Sequence, residues 1–302
     1  MTASAFRPFP SRRGLFMLGL MAGLATAGTR PLAATQGPRR IVAAGGVVTE
    51  ILYALGLEDR IVGVDATSQH PPRALTDKPN IGYVRALSAE GVLSLAPDLV
   101  IAIDGAGPPD ALRPVAEAGV RVERIAEDTS IPGVSARIRT IGRLVGQSEA
   151  AEALAAAVER DFDALARDRA ALAVSRRVLF VLSLQNGRAL VGGRGSSADA
   201  IIGYAGAVNA AARVEGYKPL TDEGIIEAAP DVVLMMARGN HAVPADEIFG
   251  QAAFAATPAA RTRALVTMDG LYLLGFGPRA PAAARDLMTA VYGPAAARRA
   301  AP

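Results

Sequence analysis

A stretch of fifteen residues occurs twice in this chain without a gap. Leu87-Ser88-Ala89-Glu90-Gly91-Val92-Leu93-Ser94-Leu95-Ala96-Pro97-Asp98-Leu99-Val100-Ile101 lines up on Leu220-Thr221-Asp222-Glu223-Gly224-Ile225-Ile226-Glu227-Ala228-Ala229-Pro230-Asp231-Val232-Val233-Leu234. The first copy reads as a helix start, a short helix, a stop and a buried strand. Ser88 is a good N-cap, and Glu90 places a negative charge in the first turn, where the helix dipole favours it. Pro97 ends the helix, and Leu99-Val100-Ile101-Ala102-Ile103 has the continuous apolar run of a buried strand. Gly82-Tyr83 precedes the first copy, and Gly216-Tyr217 precedes the second, one residue closer to its helix. A duplicated helix–strand unit constrains the chain to two similar α/β lobes.

The rest of the chain fits that frame. Ile41-Val42-Ala43-Ala44 and Ile61-Val62-Gly63-Val64 read as strands, with a Gly45-Gly46 turn and a helix over 49–55 between them. A Pro-bearing loop over 65–80 leads to Tyr83. Strand 99–103, a helix near 110–118 and strand 120–125 follow. Strands alternating with helices predict parallel sheets covered on both faces. Residues 133–172 break the alternation with a helix stopping at Gly146 and then a long helix over 149–172, for which Ser148 is the expected cap. No Gly or Pro occurs over 149–173. The predicted organisation is therefore an N-terminal lobe at 39–146, a bridging helix at 147–173 and a C-terminal lobe at 174–296. In the second lobe 177–182 is a strand, a hairpin-like pair leads to Gly192-Gly193-Arg194-Gly195, and a helix runs from Ser196 to Tyr204.

Residues 1–34 read as an export signal. An arginine-bearing start leads into the apolar run 14–24, which is shorter than the roughly 18–20 residues of a membrane span. Ala25-Thr26-Ala27 and Ala33-Ala34 are alternative cleavage points. Ser11-Arg12-Arg13-Gly14-Leu15-Phe16 fits twin-arginine export, and an ordinary secretory signal fits it as well. The expected location is the periplasm. The segment holds Arg7, Arg12, Arg13 and Arg30 and no acid, so its removal leaves 28 basic residues against 29 acidic ones. No basic block remains to bind nucleic acid. The chain has no cysteine, which excludes disulfides, thiolate metal sites and a lipid-bearing N-terminal cysteine. Its two histidines, His70 and His241, do not make a zinc site.

Few residues could carry chemistry. Gly45-Gly46 and Gly192-Gly193-Arg194-Gly195 each read as a backbone anion nest or as an ordinary tight turn. There is no Gly-x-Ser-x-Gly elbow and no evident catalytic base, so an exported α/β enzyme has little support. Tyr83 reads either as a hydrogen-bonded wall residue or as a donor to ferric iron, since a phenolate is a hard anionic ligand. A free phenol titrates near about pH 10, so binding as phenolate needs a nearby positive charge. The iron supplies one and Arg85 could add a second, either at the phenolate or at a ligand carboxylate. Arg85 also reads as a plain solvated arginine. Glu90 and Glu223 hold the same place in the two copies. Each is a helix-stabilising first-turn acid, and together they place one carboxylate on each lobe, as a two-point docking face would.

With these residues in view, the chain resembles the periplasmic haem-binding proteins that feed haem ABC transporters. Gly82-Tyr83-Val84-Arg85-Ala86-Leu87-Ser88-Ala89-Glu90-Gly91-Val92 is similar to their signature loop. So are Gly216-Tyr217-Lys218-Pro219-Leu220, Met268-Asp269-Gly270-Leu271 and Leu274-Gly275-Phe276-Gly277-Pro278-Arg279 to other segments of that family, as are 49–52 and 198–202. The resemblance spans about residues 40–293. It implies two Rossmann-like lobes joined by one stiff helix, with the ligand cleft between the lobes and haem b as the transported ligand rather than a cofactor of a reaction. It further implies Tyr83 as the axial iron ligand supported by Arg85, and docking of Glu90 and Glu223 onto the inner-membrane ABC permease. Tyr217, Arg238 and Arg194 are the further expected ligand-binding residues. The expected protein is a monomer that does no chemistry. Some haem members carry a histidine after the first strand of the second lobe, where this chain reads Ser183-Leu184-Gln185-Asn186-Gly187. One haem is therefore expected, with a second ligand from His241 or Tyr217 left open. The alternative on the same fold is a ferric siderophore or a corrinoid, and a corrinoid has no need of a phenolate donor.

Overall fold

The computed structural model describes residues 37–108, 110–185, 188–237 and 243–294. The expected export segment at 1–34, Arg238 and His241 lie outside the described residues. Strands β1 (Ile41–Ala44), β2 (Ile61–Val64), β3 (Leu99–Ile103) and β4 (Arg121–Ile125) form a parallel sheet in the order β2-β1-β3-β4. The central β1 and β3 are buried along their whole length, as their unbroken aliphatic runs require of strands covered on both faces.

The second sheet uses β5 (Arg177–Gln185), β6 (Arg188–Gly192), β7 (Val208–Asn209), β8 (Tyr217–Leu220), β9 (Val232–Ala237) and β10 (Leu265–Asp269). Its order is β10-β9-β5-β6-β8, with β7 paired to β5. Strands β10, β9 and β5 are mutually parallel, whereas β6 pairs antiparallel with both β5 and β8. This corrects the expectation of a parallel sheet in each lobe. Two residues separate β5 from β6 in the chain, and a parallel crossover needs about a dozen or more. Strand β5 is also longer than its apolar run. Ser183, Leu184 and Gln185 are strand residues paired with Leu190, Ala189 and Arg188, not a loop.

Between the sheets in sequence lies one helix, Ser148–Ala170, about 34 Å long at 1.5 Å per residue. Ser148 is its first helical residue. The cap position is Gln147, which makes no side-chain cap bond, so the cap assignment to Ser148 is corrected. Ala151, Ala155, Val158, Phe162 and Leu165 form its buried stripe at three- and four-residue spacing. It packs on the helix Ile131–Leu144 and on the C-terminal helix Ala280–Tyr292. Arg139 of the first holds Glu152 at 2.7 Å and Glu159 at 2.9 Å. Arg285 of the second pairs with the buried Asp168. The helix is therefore pinned near both ends.

The repeated unit folds alike in both places. Ser88 Oγ accepts from the Gly91 N–H at 3.0 Å and Thr221 Oγ1 from the Gly224 N–H at 3.1 Å, capping helices Ala89–Leu93 and Asp222–Ala228. Each copy then turns through a left-handed alanine, Ala96 at φ 43° and Ala229 at φ 40°. The first helix thus ends before Pro97, which fixes the turn rather than breaking the helix. Each copy is also clamped by an arginine at the start of its lobe's first strand. Asp98 accepts from the Arg39 and Arg40 N–H groups at 2.9 and 3.1 Å, and the Arg40 guanidinium donates to Ala96 O at 2.8 Å and Leu95 O at 2.6 Å. In the second lobe Asp231 accepts from the Arg177 N–H at 2.8 Å, and Arg177 Nε donates to Ala228 O at 2.9 Å.

Candidate functional site

The loop before the first copy is built on buried residues at every third position. Ile81, Val84 and Leu87 enter the core, which leaves Tyr83 and Arg85 outside it. Gly82 makes the entry turn at φ 95°, a conformation that suits a residue without Cβ. Its N–H donates to Asn80 Oδ1 at 2.8 Å, and its carbonyl accepts from the Ala66 N–H at 2.8 Å. The backbone is therefore fixed on both sides of Tyr83. The Tyr83 ring is 56% exposed, and its hydroxyl has no hydrogen-bond partner among the described residues. A large aromatic held on a rigid loop with its polar end free is poised to contact something else.

Arg85, two residues on, reaches into a cavity of about 330 Å³. Its Nη1 donates to Gly105 O at 3.0 Å, and its Nη2 lies 3.6 Å from Glu127. A Cβ on Gly105 would fall 1.9 Å from Nη1, so that position must be glycine for Arg85 to sit there. The cavity is walled from both halves of the chain: Arg85, Glu127 and Arg137 from the first, Ser197 and Tyr217 from the second, with Phe276 closing it. A volume of that size suits a small-molecule ligand. A larger cavity of about 390 Å³ is walled by the second lobe alone, by residues such as Ala210, Val214 and Gly224. It touches none of the cleft residues and lacks the two-sided wall that a bilobed binding protein uses.

Tyr217 stands in β8, not in a loop. Its hydroxyl shares a 2.7 Å hydrogen bond with Ser197 Oγ, and its ring meets Phe180 edge-on at 6.3 Å between centroids. It is thus already partnered where Tyr83 is not. Arg194 is exposed, 4.0 Å from Glu215, and does not wall the cavity although the adjacent Gly195 and Ser196 do. His70 walls a separate cavity of about 280 Å³ with Tyr53, Arg73 and Arg279. Burial, reinforced by the Arg279 charge, holds its pKa below the usual histidine value. Glu90 and Glu223 are exposed in the first turns of their helices.

The glycine turns are occupied by the protein itself. Gly45 N–H donates to Asp65 Oδ1 at 2.8 Å and Gly46 N–H to Thr67 Oγ1 at 2.9 Å. In the second lobe the Gly195 N–H donates to Asp199 Oδ2 at 3.0 Å. An internal carboxylate, buried at Asp65 and half-buried at Asp199, takes the place that a ligand anion would need in a nest, so the tight-turn reading holds for both.

Arg137 was not legible as a site residue. It lies in the helix Ile131–Leu144 and is 4% exposed. Its guanidinium donates to Ala126 O at 3.0 Å, Asp128 O at 3.1 Å and Phe276 O at 2.8 Å. Burial lowers its pKa, and Glu127 and Asp128 oppose that shift. An arginine so placed stays charged and gives the cleft floor a fixed cation.

Comparison with known proteins follows the same outline. The profile of the periplasmic binding protein family matches residues 41–271. A periplasmic haem-binding protein of Roseiflexus sp. RS-1 superposes with a TM-score of 0.81 at 39% identity, covering 87% of this chain and 100% of that one. A periplasmic haem-binding protein in complex with two haems, BhuT, superposes with a TM-score of 0.79 at 42% identity, covering 83% and 97%. Curated relatives are covered less fully, since the chain spans 63% and 53% of the lengths of two of them. The second of these is a cobalamin-binding protein of Halobacterium salinarum, 32% identical over 65% of this chain.

Proposed function

The chain belongs to the periplasmic binding protein family, and on that premise we propose that it captures haem in its cleft and delivers it to the permease of an inner-membrane ABC importer. The family is one of solute-binding proteins rather than an enzyme class, and among the described residues no helix is long and apolar enough to cross a membrane. The observation that carries the ligand assignment is the pair Tyr83 and Arg85. One is an exposed phenol with no partner among the described residues, held on a fixed loop, and the other, two residues on, is a cation seated in the cavity wall. A phenolate is a donor suited to ferric iron, and guanidinium groups pair with carboxylates such as the haem propionates. The likeness to solved haem-binding structures supports the same reading.

In this reading Tyr83 ligates the iron of haem b. Arg85 meets a propionate or supports the phenolate, and Arg137 sets the positive potential of the cleft floor. Tyr217 is a wall residue of the opposite lobe. Arg194 at the rim and Arg238 are the remaining cations of the set. Glu90 and Glu223, one from each copy of the repeat, are the docking carboxylates for the permease. The protein works as a monomer after the export segment is removed.

The test is a titration of the protein with ferric haem followed by absorbance. The expected result is tight binding with a high-spin tyrosinate-type spectrum, and the break point reports one haem or two. Absence of haem binding overturns the proposal. The cobalamin-binding relative makes cobalamin the natural second titrant. Tight cobalamin binding without haem binding establishes the corrinoid reading instead.

A further inference from the structure

Among the described residues, the cavity wall holds one acid beside its arginines, and the fold goes to some length to place it. Glu127 walls the cavity with its carboxylate 3.6 Å from Arg85 Nη2. Its neighbours on both sides are gripped by the buried Arg137, which donates to Ala126 O at 3.0 Å and Asp128 O at 3.1 Å. The next residue is fixed as well. Asp128 Oδ1 accepts from the Ser130 N–H at 2.8 Å, and Ser130 caps the helix Ile131–Leu144. Gly133 leaves room for the Asp128 side chain, which a Cβ there would meet at 2.3 Å. The carboxylate is thus presented to Arg85 by a backbone held on each side, not by a free loop.

Resting on the haem reading, we propose that Glu127 is a built-in competitor for Arg85, exchanged for a ligand carboxylate when a dicarboxylate porphyrin binds. Arg85 Nη1 is anchored to the Gly105 carbonyl, so the end of the guanidinium facing Glu127 is the part that can change partners. Both side chains are about half exposed, at 49% and 46%, so the exchange needs no buried charge to be left unpaired. The consequence is a moderated affinity. The cleft takes the carboxylate but gives part of the Arg85 interaction back to Glu127. That favours release to a transporter and narrows the preference for acids over neutral ligands of the same shape.

The test compares the protein with its Glu127→Gln variant, using ferric protoporphyrin IX and its dimethyl ester as titrants. For a half-exposed pair the expected change is roughly two- to fivefold tighter binding of the dicarboxylate, read mainly as slower dissociation. The ester should be bound equally by both proteins. In an Arg85→Gln background Glu127→Gln should then bring no gain, a result that a general structural effect would not produce. Unchanged or weaker binding of the dicarboxylate, an equal gain for the ester, or a gain that persists without Arg85 each overturns the competitor role while leaving haem binding standing. Failure of the parent protein to bind either porphyrin removes the haem reading, and this proposal with it.

Discussion

The two copies of the repeated unit share one backbone plan and differ just upstream of it. Both have a hydroxyl cap, a first-turn glutamate, a left-handed alanine before proline and an aspartate clamped by the arginine that opens the lobe's first strand. Just upstream they part. In the first copy the tyrosine stands on a loop anchored by Ile81, Val84 and Leu87, and its hydroxyl has no partner among the described residues. In the second, Tyr217 is in strand β8 and hydrogen-bonded to Ser197. The one-residue difference in spacing separates a loop tyrosine from a ladder tyrosine. On the proposed function, a shared scaffold would thus carry one-sided ligand chemistry, while its exposed glutamates remain two-sided.

The comparison is most exposed to failure at the tyrosines. Tyr83→Ala should weaken haem binding by about a hundredfold, on the scale of losing strong support for a metal. Tyr217→Ala, which removes a wall residue, should cost much less in the same titration. If the two losses are equal, ligation is shared between lobes. The clamps come next. Asp98→Ala leaves two backbone N–H groups without their carboxylate, whereas Asp231→Ala leaves one. Chemical denaturation should show a loss of about 2–3 kcal/mol for the first and about 1–2 kcal/mol for the second. Equal losses would mean that the exposed bonds of the first copy are made by water just as well.

Docking should be symmetric where ligation is not. Glu90→Ala and Glu223→Ala should each reduce the rate of association with the permease and leave haem affinity unchanged, because exposed charges at a rim act mainly on encounter. A defect in only one variant would show that the repeat is structural on the other side. The caps form a smaller pair. Ser88→Ala and Thr221→Ala should each lower stability by about 1 kcal/mol. Ala96→Gly and Ala229→Gly should be the mildest, each raising stability by up to about 1 kcal/mol by relieving a left-handed alanine. A loss of stability in either would show that the alanine methyl is needed for packing.

Much of this was legible in the sequence because it rests on local chemistry. The gapless repeat, the Ser88 cap, the buried runs at Ile41–Ala44 and Leu99–Ile103 and the long helix all follow from spacing and propensity. What was missed depends on contacts between distant segments. Arg137 sits in an amphipathic helix among polar residues, and only the approach of Ala126 and Phe276 makes it a buried cation. Glu127 reads as one more loop acid until Arg85 is placed beside it. The clamps left a trace, an arginine at the start of the first strand in each lobe with an aspartate after each Ala-Pro. That trace has meaning only once the two segments are adjacent. The direction of β6 was readable from its two-residue connection. Proline pointed to a break near residue 97, but it did not select the left-handed turn at Ala96 over an extended one.

The central claim is that iron is held from one lobe on a scaffold built from two. Its most direct test is the spectrum of ferric haem bound to Tyr83→Phe and to Tyr217→Phe, each compared with the parent protein. These variants remove one hydroxyl and keep the ring. The account predicts that the tyrosinate-to-iron charge-transfer band disappears in Tyr83→Phe and is unchanged in Tyr217→Phe. Loss of the band in Tyr217→Phe, or its survival in Tyr83→Phe, would contradict it.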